Sequence, residues 1–104
     1  MSVFRINKDR NYSSIDNNVI RDKSLSWKAR GILIYLLSKP ADWKIWLRDI
    51  IKNSDSDGEQ SVKSGLKELR NAGYLHLRRG EFKDVDGIKQ FGSFYDVYET
   101  PRSN

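Results

Sequence analysis

The chain has 104 residues, with no cysteine, 38% hydrophobic residues, 32% charged residues and a formal net charge of +5 at pH 7. This composition predicts a single globular domain over 1–104, with an ordered core over 3–101, and it excludes disulfides, thiolate metal sites and cysteine nucleophiles. No apolar run approaches the roughly 20 residues of a membrane-spanning helix, and the first residues lack the apolar segment of a signal peptide. We therefore expect an intracellular protein without membrane contact.

The basic excess lies entirely in the first part of the sequence. Residues 1–41 carry the whole charge of +5, whereas 42–73 and 74–104 each contain equal numbers of basic and acidic residues. Because phosphate contacts supply most non-specific DNA affinity, this distribution predicts weak or no specific duplex DNA binding by the later segments. Residues 1–41 alter that expectation only if the fold places them beside these later segments.

The first predicted elements are a short alternating strand at 3–7 and, within 12–20, a weak extended segment around Tyr12 to Ile15. The first strong helix is predicted at 26–38, where apolar residues recur at helical spacing until Pro40 prevents continuation. Ser24 and Ser26 are the candidate caps of this helix. A second helix is predicted at about 43–53. Its predicted buried side chains are Ile45 or Trp46, Leu47, Ile50 and Ile51.

A third helix is predicted at about 57–72, because Val62, Leu66 and Leu69 fall on one helical face. Gly73 can take the left-handed conformation that ends a helix. Strands are then predicted at 74–79 and 91–100, separated by a polar loop, 80–90, that forms the wing. This order predicts an α+β winged helix-turn-helix, with three helices and a small antiparallel sheet.

The entrance of the third helix is acidic, with Asp55, Asp57 and Glu59 close together. One interpretation is a capping box, formed by Ser56 with Glu59 or by Asp57 with Gln60. The same carboxylates would also repel phosphate and attract a basic protein surface, since helix N-termini are the parts that approach DNA in helix-turn-helix docking.

Three stretches carry a resemblance to a known family: RDKSLSWKARGILIYLLSKPADW at 21–43, SVKSGLKELRNAGYL at 61–75 and FYDVYETP at 94–101. Together they resemble the N-terminal winged-helix domain of phage replisome-organiser and replication-initiation proteins, over about residues 3–101. The resemblance implies a winged helix with a role in replication initiation. The usual larger proteins continue into a second domain, whereas this sequence ends after the predicted wing.

The size and isolated architecture also resemble small phage proteins that inhibit the helicase loader of the bacterial host, an AAA+ ATPase. This resemblance implies a stoichiometric inhibitor of replication initiation in the cytoplasm of the infected host. An inhibitor of this kind needs a contact surface, and the acidic helix entrance and the apolar residues of the wing are the candidates. The predicted partner-binding residues are Asp57, Glu59, Phe82, Ile88 and Phe91.

The alternative function is a DNA-binding module of a replication initiator or transcriptional regulator. In that case the third helix enters the major groove and presents Gln60, Lys63, Ser64 and Lys67 to base edges. Arg78 and Arg79 would contact phosphate beside the wing.

No catalytic or metal-binding constellation is apparent in the sequence. His76 has no clustered partner and is predicted to be a surface residue, and no Walker-type phosphate loop occurs. We expect no enzyme activity, cofactor, metal or small-molecule substrate. Trp27, Trp43 and Trp46 lie near helix ends, where burial against neighbouring elements is predicted.

Overall fold

The computed structural model describes residues 2–7, 15–39, 42–54 and 58–102. Within them the elements are β1 (Val3–Asn7), α1 (Asn17–Ile20), α2 (Trp27–Leu37), β2 (Lys44–Trp46), α3 (Leu47–Lys52), α4 (Glu59–Asn71), β3 (Leu75–Lys83) and β4 (Lys89–Tyr98). The protein is α+β, as predicted, but this part of the chain contains four helices where three were predicted.

The four strands form one mixed sheet in the order β2-β1-β4-β3. Strand β1 runs antiparallel to β2 and parallel to β4, while β3 and β4 form an antiparallel hairpin. The prediction of an antiparallel sheet is therefore wrong in one respect, because β1 pairs with β4 in parallel. Phe4 is opposite both Ile45 and Tyr95 in this arrangement.

The helix predicted at 43–53 is wrong in its first part. Lys44–Trp46 is a strand, because β1 offers it a ladder in which Val3 faces Trp46 and Arg5 faces Lys44. The helical segment begins only at Leu47, whose backbone N–H donates to the Ser2 carbonyl oxygen at 2.9 Å.

The weak extended segment predicted around Tyr12 to Ile15 stays a prediction. Residues 12–14 lie outside the described residues, and Asn17–Ile20 forms a single helical turn. Asp16 caps this turn by accepting a hydrogen bond from the Asn18 backbone N–H at 2.8 Å. The turn buries Val19, which explains why an apolar residue occurs in this polar stretch.

Helices α2 and α4 pack closely and are joined by polar contacts at one end. Ser26 caps α2 by accepting from the Ala29 N–H, and its own N–H and Oγ–H both donate to the Glu68 carboxylate, at 2.9 and 2.8 Å. A Cβ on Gly65 would lie 2.6 Å from Cδ1 of Ile32, so the absence of a side chain lets the two helices approach. Ser26 was predicted as a cap, but its link to α4 was not visible in the sequence.

The main core lies between the helices and one face of the sheet, which we call the helix-side face. Every second side chain of each strand points into this core, because successive side chains of a strand point to opposite faces of the sheet. The buried sheet residues on this face are Phe4, Ile6, Ile45, Leu75 and Val97. The opposite face, here the outer face, carries Arg5, His76, Arg78, Phe94 and Asp96.

The end of α4 follows the prediction, whereas the polar loop after it is shorter than predicted. Gly73 has a φ of 92° directly after the helix, as expected for a glycine stop. The strands of the hairpin are longer than predicted, because the ladder continues to the pair Lys83 and Lys89. The polar loop is therefore a short turn over 84–88, and most of the predicted loop 80–90 is strand.

Candidate functional site

The exposed face of α4 carries the residues that the DNA-binding alternative selected. Gln60, Lys63, Ser64 and Lys67 are all exposed, and Arg70 extends the same surface by one turn. The opposite face buries Val62, Gly65, Leu66 and Leu69 against the core. The helical periodicity of the sequence therefore predicted this surface correctly, although Arg70 was not included in it.

The surface of α4 continues onto the helix-side face of the hairpin. The Arg70 guanidinium carbon lies 5.9 Å from the centroid of the Tyr95 ring, and Tyr95 pairs with Leu77 across the β3–β4 ladder. Further along the hairpin, the Arg79 guanidinium lies 5.5 Å from the centroid of the Phe91 ring. We call this combined surface of α4 and hairpin the α4–wing face.

The α4–wing face is rich in positive charge. Its exposed basic residues are Lys63, Lys67, Arg70, Arg79, Lys83 and Lys89, and its exposed acidic residues are Glu59 and Glu81. Glu59 lies 3.9 Å from Lys63 as an exposed ion pair. The equal numbers of acidic and basic residues in 42–104 therefore do not describe the charge of this surface.

The discrepancy arises because several acids of this segment bond within the protein. Asp96 is 2% exposed on the outer face, where its carboxylate accepts from Arg5 Nε at 2.6 Å and from Arg5 Nη2 at 2.9 Å. Glu68 accepts both hydrogen bonds from Ser26, and these bonds hold its pKa below the usual range. Asp96 faces the outer side of the sheet and Glu68 faces the start of α2, so neither carboxylate lies on the α4–wing face.

Asp84 has a comparable internal role in the wing turn. Its Oδ1 accepts from the backbone N–H groups of Asp86 and Ile88, each at 3.0 Å, and its Oδ2 accepts from Gln90 Nε2 at 3.1 Å. Burial acts to raise the pKa of Asp84, but these hydrogen bonds together lower it below its usual range. The Asp84 carboxylate therefore stabilises the backbone of the turn over 84–88.

Arg78 and Arg79 were predicted to act together, but they lie on opposite faces of β3. Arg78 Nε is 3.3 Å from the Asp96 carboxylate on the outer face, and its Nη2 donates to Tyr98 Oη at 3.3 Å. Hydrogen bonds with Tyr98 and Asp96 raise the pKa of Arg78. Only Arg79 belongs to the α4–wing face.

The predicted partner-binding residues do not form one surface. Phe82 packs on Phe94 of the outer face, with ring centroids 4.9 Å apart, whereas Phe91 is on the helix-side face and is 71% exposed. Ile88 is exposed at the wing turn, and Glu59 is exposed at the start of α4. Asp57, like Asp55 and Ser56, lies outside the described residues, and the residue that caps α4 is Gly58, which makes no side-chain capping bond.

The prediction that His76 is a surface residue is wrong. Its side chain is buried on the outer face, with Nε2 2.9 Å from the Gly73 carbonyl oxygen and its ring edge-on to Tyr98. Side chains of the outer face, among them Tyr98, cover this position. Across the described ranges, no group of three histidine, aspartate or glutamate side chains could hold a metal ion.

A cavity of about 190 Å³ lies between α4 and the sheet, within the α4–wing face. Its floor is apolar and includes Phe4, Leu66 and Tyr95, while three basic side chains of α4 stand at its rim. The residues that line it are Ser2, Phe4, Leu47, Lys63, Leu66, Lys67, Arg70, Leu75 and Tyr95. The arrangement suits an anionic group resting above an apolar surface.

Comparison with protein-family models, curated proteins and solved structures finds no match for this chain. None of the helices in the described ranges is long and apolar enough to cross a bilayer.

Proposed function

We propose that this protein is a winged-helix module that binds duplex DNA through the α4–wing face. The observation that carries the proposal is the concentration of basic side chains on α4 and on one face of the hairpin, whereas Glu68 faces α2 and Asp96 faces the opposite side of the sheet. Phosphate neutralisation by such groups supplies most non-specific DNA affinity.

The order of elements supports the winged-helix interpretation. Helix α3 is followed after a short connection by α4, and α4 leads directly into the β3–β4 hairpin. In helix-turn-helix docking the second helix enters the major groove with its N-terminal residues near base edges. In this proposal Gln60, Lys63 and Ser64 approach the bases, while Lys67, Arg70 and Arg79 contact phosphates.

Neighbouring arginines on β3 provide a matched test of this proposal. Fluorescence anisotropy with a labelled random-sequence duplex should detect binding at roughly 50 mM salt, with affinity falling steeply as salt increases. Arg79→Gln should weaken binding and reduce the slope of log K against log salt by about 1, since one phosphate contact is lost. Arg78→Gln should leave the slope unchanged, because Arg78 faces Asp96.

Two results would overturn the DNA-binding proposal. One is an absence of duplex binding by the unmodified protein even at low salt. The other is an equal loss of affinity in the Arg78 and Arg79 variants, because the two side chains point to opposite faces of the hairpin. A role in phage replication initiation is the biological context that we infer from the family resemblance.

A second candidate function is inhibition of the host AAA+ helicase loader by direct binding. The observation that favours it is the apolar surface at the wing, where Phe91 is 71% and Ile88 is 58% exposed. Large exposed apolar side chains are common at interface centres and bring no advantage to a purely electrostatic DNA contact. In this proposal Phe91 and Ile88 contact an apolar patch of the loader.

A pull-down from host lysate, with and without nuclease, separates the two functions. Recovery of an ATPase after nuclease treatment supports the inhibitor, and recovery of DNA alone supports the DNA-binding module. Phe91→Ala should weaken a loader complex at least tenfold, as expected for an exposed hot spot. Phe82→Ala is the matched control on the outer face, and a similar loss from both variants would argue against the wing contact.

A further inference from the structure

One stripe of α2 exposes an aromatic side chain that the core does not use. Trp27, predicted to be buried, is 82% exposed at the first position of the helix. Gly31 and Tyr35 follow at intervals of four residues and therefore lie on the same side of α2. The stripe shares no residue with the α4–wing face.

Gly31 leaves a gap between the two aromatic residues. A Cβ at this position would meet nothing within 4 Å, so no packing contact requires the glycine. Glycine is also unfavourable in a helix interior, because it loses more backbone entropy on folding than other residues. A glycine without a packing reason, beside an exposed tryptophan, indicates a surface kept open for a ligand.

The gap is the mouth of a groove between α2 and α3. The groove has a volume of about 320 Å³, and Ile32 and Ile50 form its aliphatic floor. Asn53 and Ser54, at the end of α3, line its far side. A groove of this size and apolar character falls within the range of protein ligand sites.

Trp27 is held in position by the neighbouring helix turn. The guanidinium of Arg30 lies 4.5 Å from the Trp27 ring centroid, and its Nη1 and Nη2 donate to the carbonyl oxygens of Ile20 and Leu25 at 3.1 and 3.0 Å. The ring therefore has a fixed neighbour on one side. Such preorganisation lowers the entropy cost of binding.

The charges beside the groove are basic. Lys28 lines it, Arg30 stacks on Trp27, and Lys39 Nζ lies 4.9 Å from the ring centroid of Tyr35. Within the described residues, no acidic side chain lines the groove. We propose that this groove, the α2–α3 groove, binds an acidic protein segment that inserts an apolar or aromatic side chain between Trp27 and Tyr35.

The floor favours a protein segment over single-stranded nucleic acid. Bases bind by stacking in succession on aromatic platforms, whereas here an aliphatic pocket formed by Ile32 and Ile50 lies between Trp27 and Tyr35 and suits an inserted apolar side chain. An acidic segment with apolar residues four positions apart would fill the gap at Gly31 and face Lys28 with its carboxylates. The inference does not depend on DNA binding by the α4–wing face.

The test uses the intact protein and defined probes. The first probe is a labelled 15-residue glutamate-rich peptide with leucine and phenylalanine four positions apart. The comparison probes have alanine at both apolar positions or lysine in place of glutamate, and a 15-nucleotide deoxythymidine strand represents nucleic acid. Fluorescence anisotropy should give at least tenfold tighter binding of the first probe than of the other three.

Gly31→Leu is the decisive variant, because it fills the gap without touching the core. We expect it to weaken binding of the first probe at least tenfold while the melting temperature stays the same or rises. Trp27→Ala should give a similar loss, and Gly58→Leu, with open space at another exposed glycine, is the matched control. The DNA affinity of the Gly31 variant should be unchanged.

Three outcomes would overturn the inference. The first is no binding of the acidic peptide at about 1 mM, and the second is binding that Gly31→Leu does not weaken. The third is preferential binding of the deoxythymidine strand, which would assign the groove to nucleic acid. Each is independent of the Arg79 experiment, so failure of one proposal leaves the other standing.

Discussion

Two leucines of α4 should differ in their contribution to stability, although they are three residues apart. Leu69 is fully buried, whereas Leu66 is 8% exposed and borders the cavity of about 190 Å³ between α4 and the sheet. Leucine-to-alanine changes in cores cost about 2–5 kcal/mol, and the cost grows with the volume left empty. We expect about 3–5 kcal/mol for Leu69→Ala and about 2–3 kcal/mol for Leu66→Ala, since solvent can reach the space that Leu66 leaves.

Urea unfolding followed by far-UV circular dichroism would measure both changes, provided that the m-values agree with that of the unmodified protein. For a domain of this size, 1 kcal/mol corresponds to a shift in melting temperature of roughly 4–8 °C, so the two variants are easily resolved. A larger loss from Leu66→Ala than from Leu69→Ala would refute the orientation of α4 described above, and with it the surface assigned to Lys63 and Lys67.

Two further predictions concern hydrogen bonds. Tyr74→Phe removes the hydrogen bond of 2.7 Å from Tyr74 Oη to the Asp22 carboxylate, and it should lower the free energy of unfolding in urea by about 1–2 kcal/mol. Tyr98→Phe should lower it by less, because the contacts of Tyr98 Oη are longer, at 3.3 and 3.4 Å. Equal losses of unfolding free energy in the two variants would contradict this prediction. Hydrogen bonds from Ser24 and Tyr74 lower the pKa of Asp22, and those from Ser26 lower the pKa of Glu68. Because both folded-state values are depressed, this stability should be present above the unfolded values of about 4 and decrease as pH falls further; an unfolding free energy independent of pH between about 5 and 2 would be inconsistent with these bonds.

The locally determined elements could be predicted from the sequence. The apolar periodicity of α2 and α4, the Ser26 cap and the Gly73 stop depend on residues close together in the chain. The strand at Lys44–Trp46 could not be predicted in this way, because its conformation depends on pairing with β1, about forty residues earlier. Taken alone, the sequence spacing of Ile45, Leu47 and Ile50 is compatible with a helix as well as with a strand.

The candidate site shows the same limit. Helical spacing identified Lys63 and Lys67, but the choice between Arg78 and Arg79 required the strand register. The charge of the site could not be obtained by summing over segments, because Asp96 bonds to Arg5, 91 positions away in the sequence. His76 was predicted as exposed for a related reason, since its cover comes from Tyr98 on the adjacent strand.

The parallel pairing of β1 with β4 has a consequence for how the protein is made. Phe4 lies beside Tyr95, and Asn7 beside Tyr98. The two central strands of the sheet are therefore β1 and β4, the first and the last of the described strands to be synthesised. A nascent chain on the ribosome can form α2 and α4 early, but its first strand has only the three-residue β2 as a partner until β4 has left the exit tunnel. The sheet is therefore completed only after β4 has been translated, and β1 has one open edge until then.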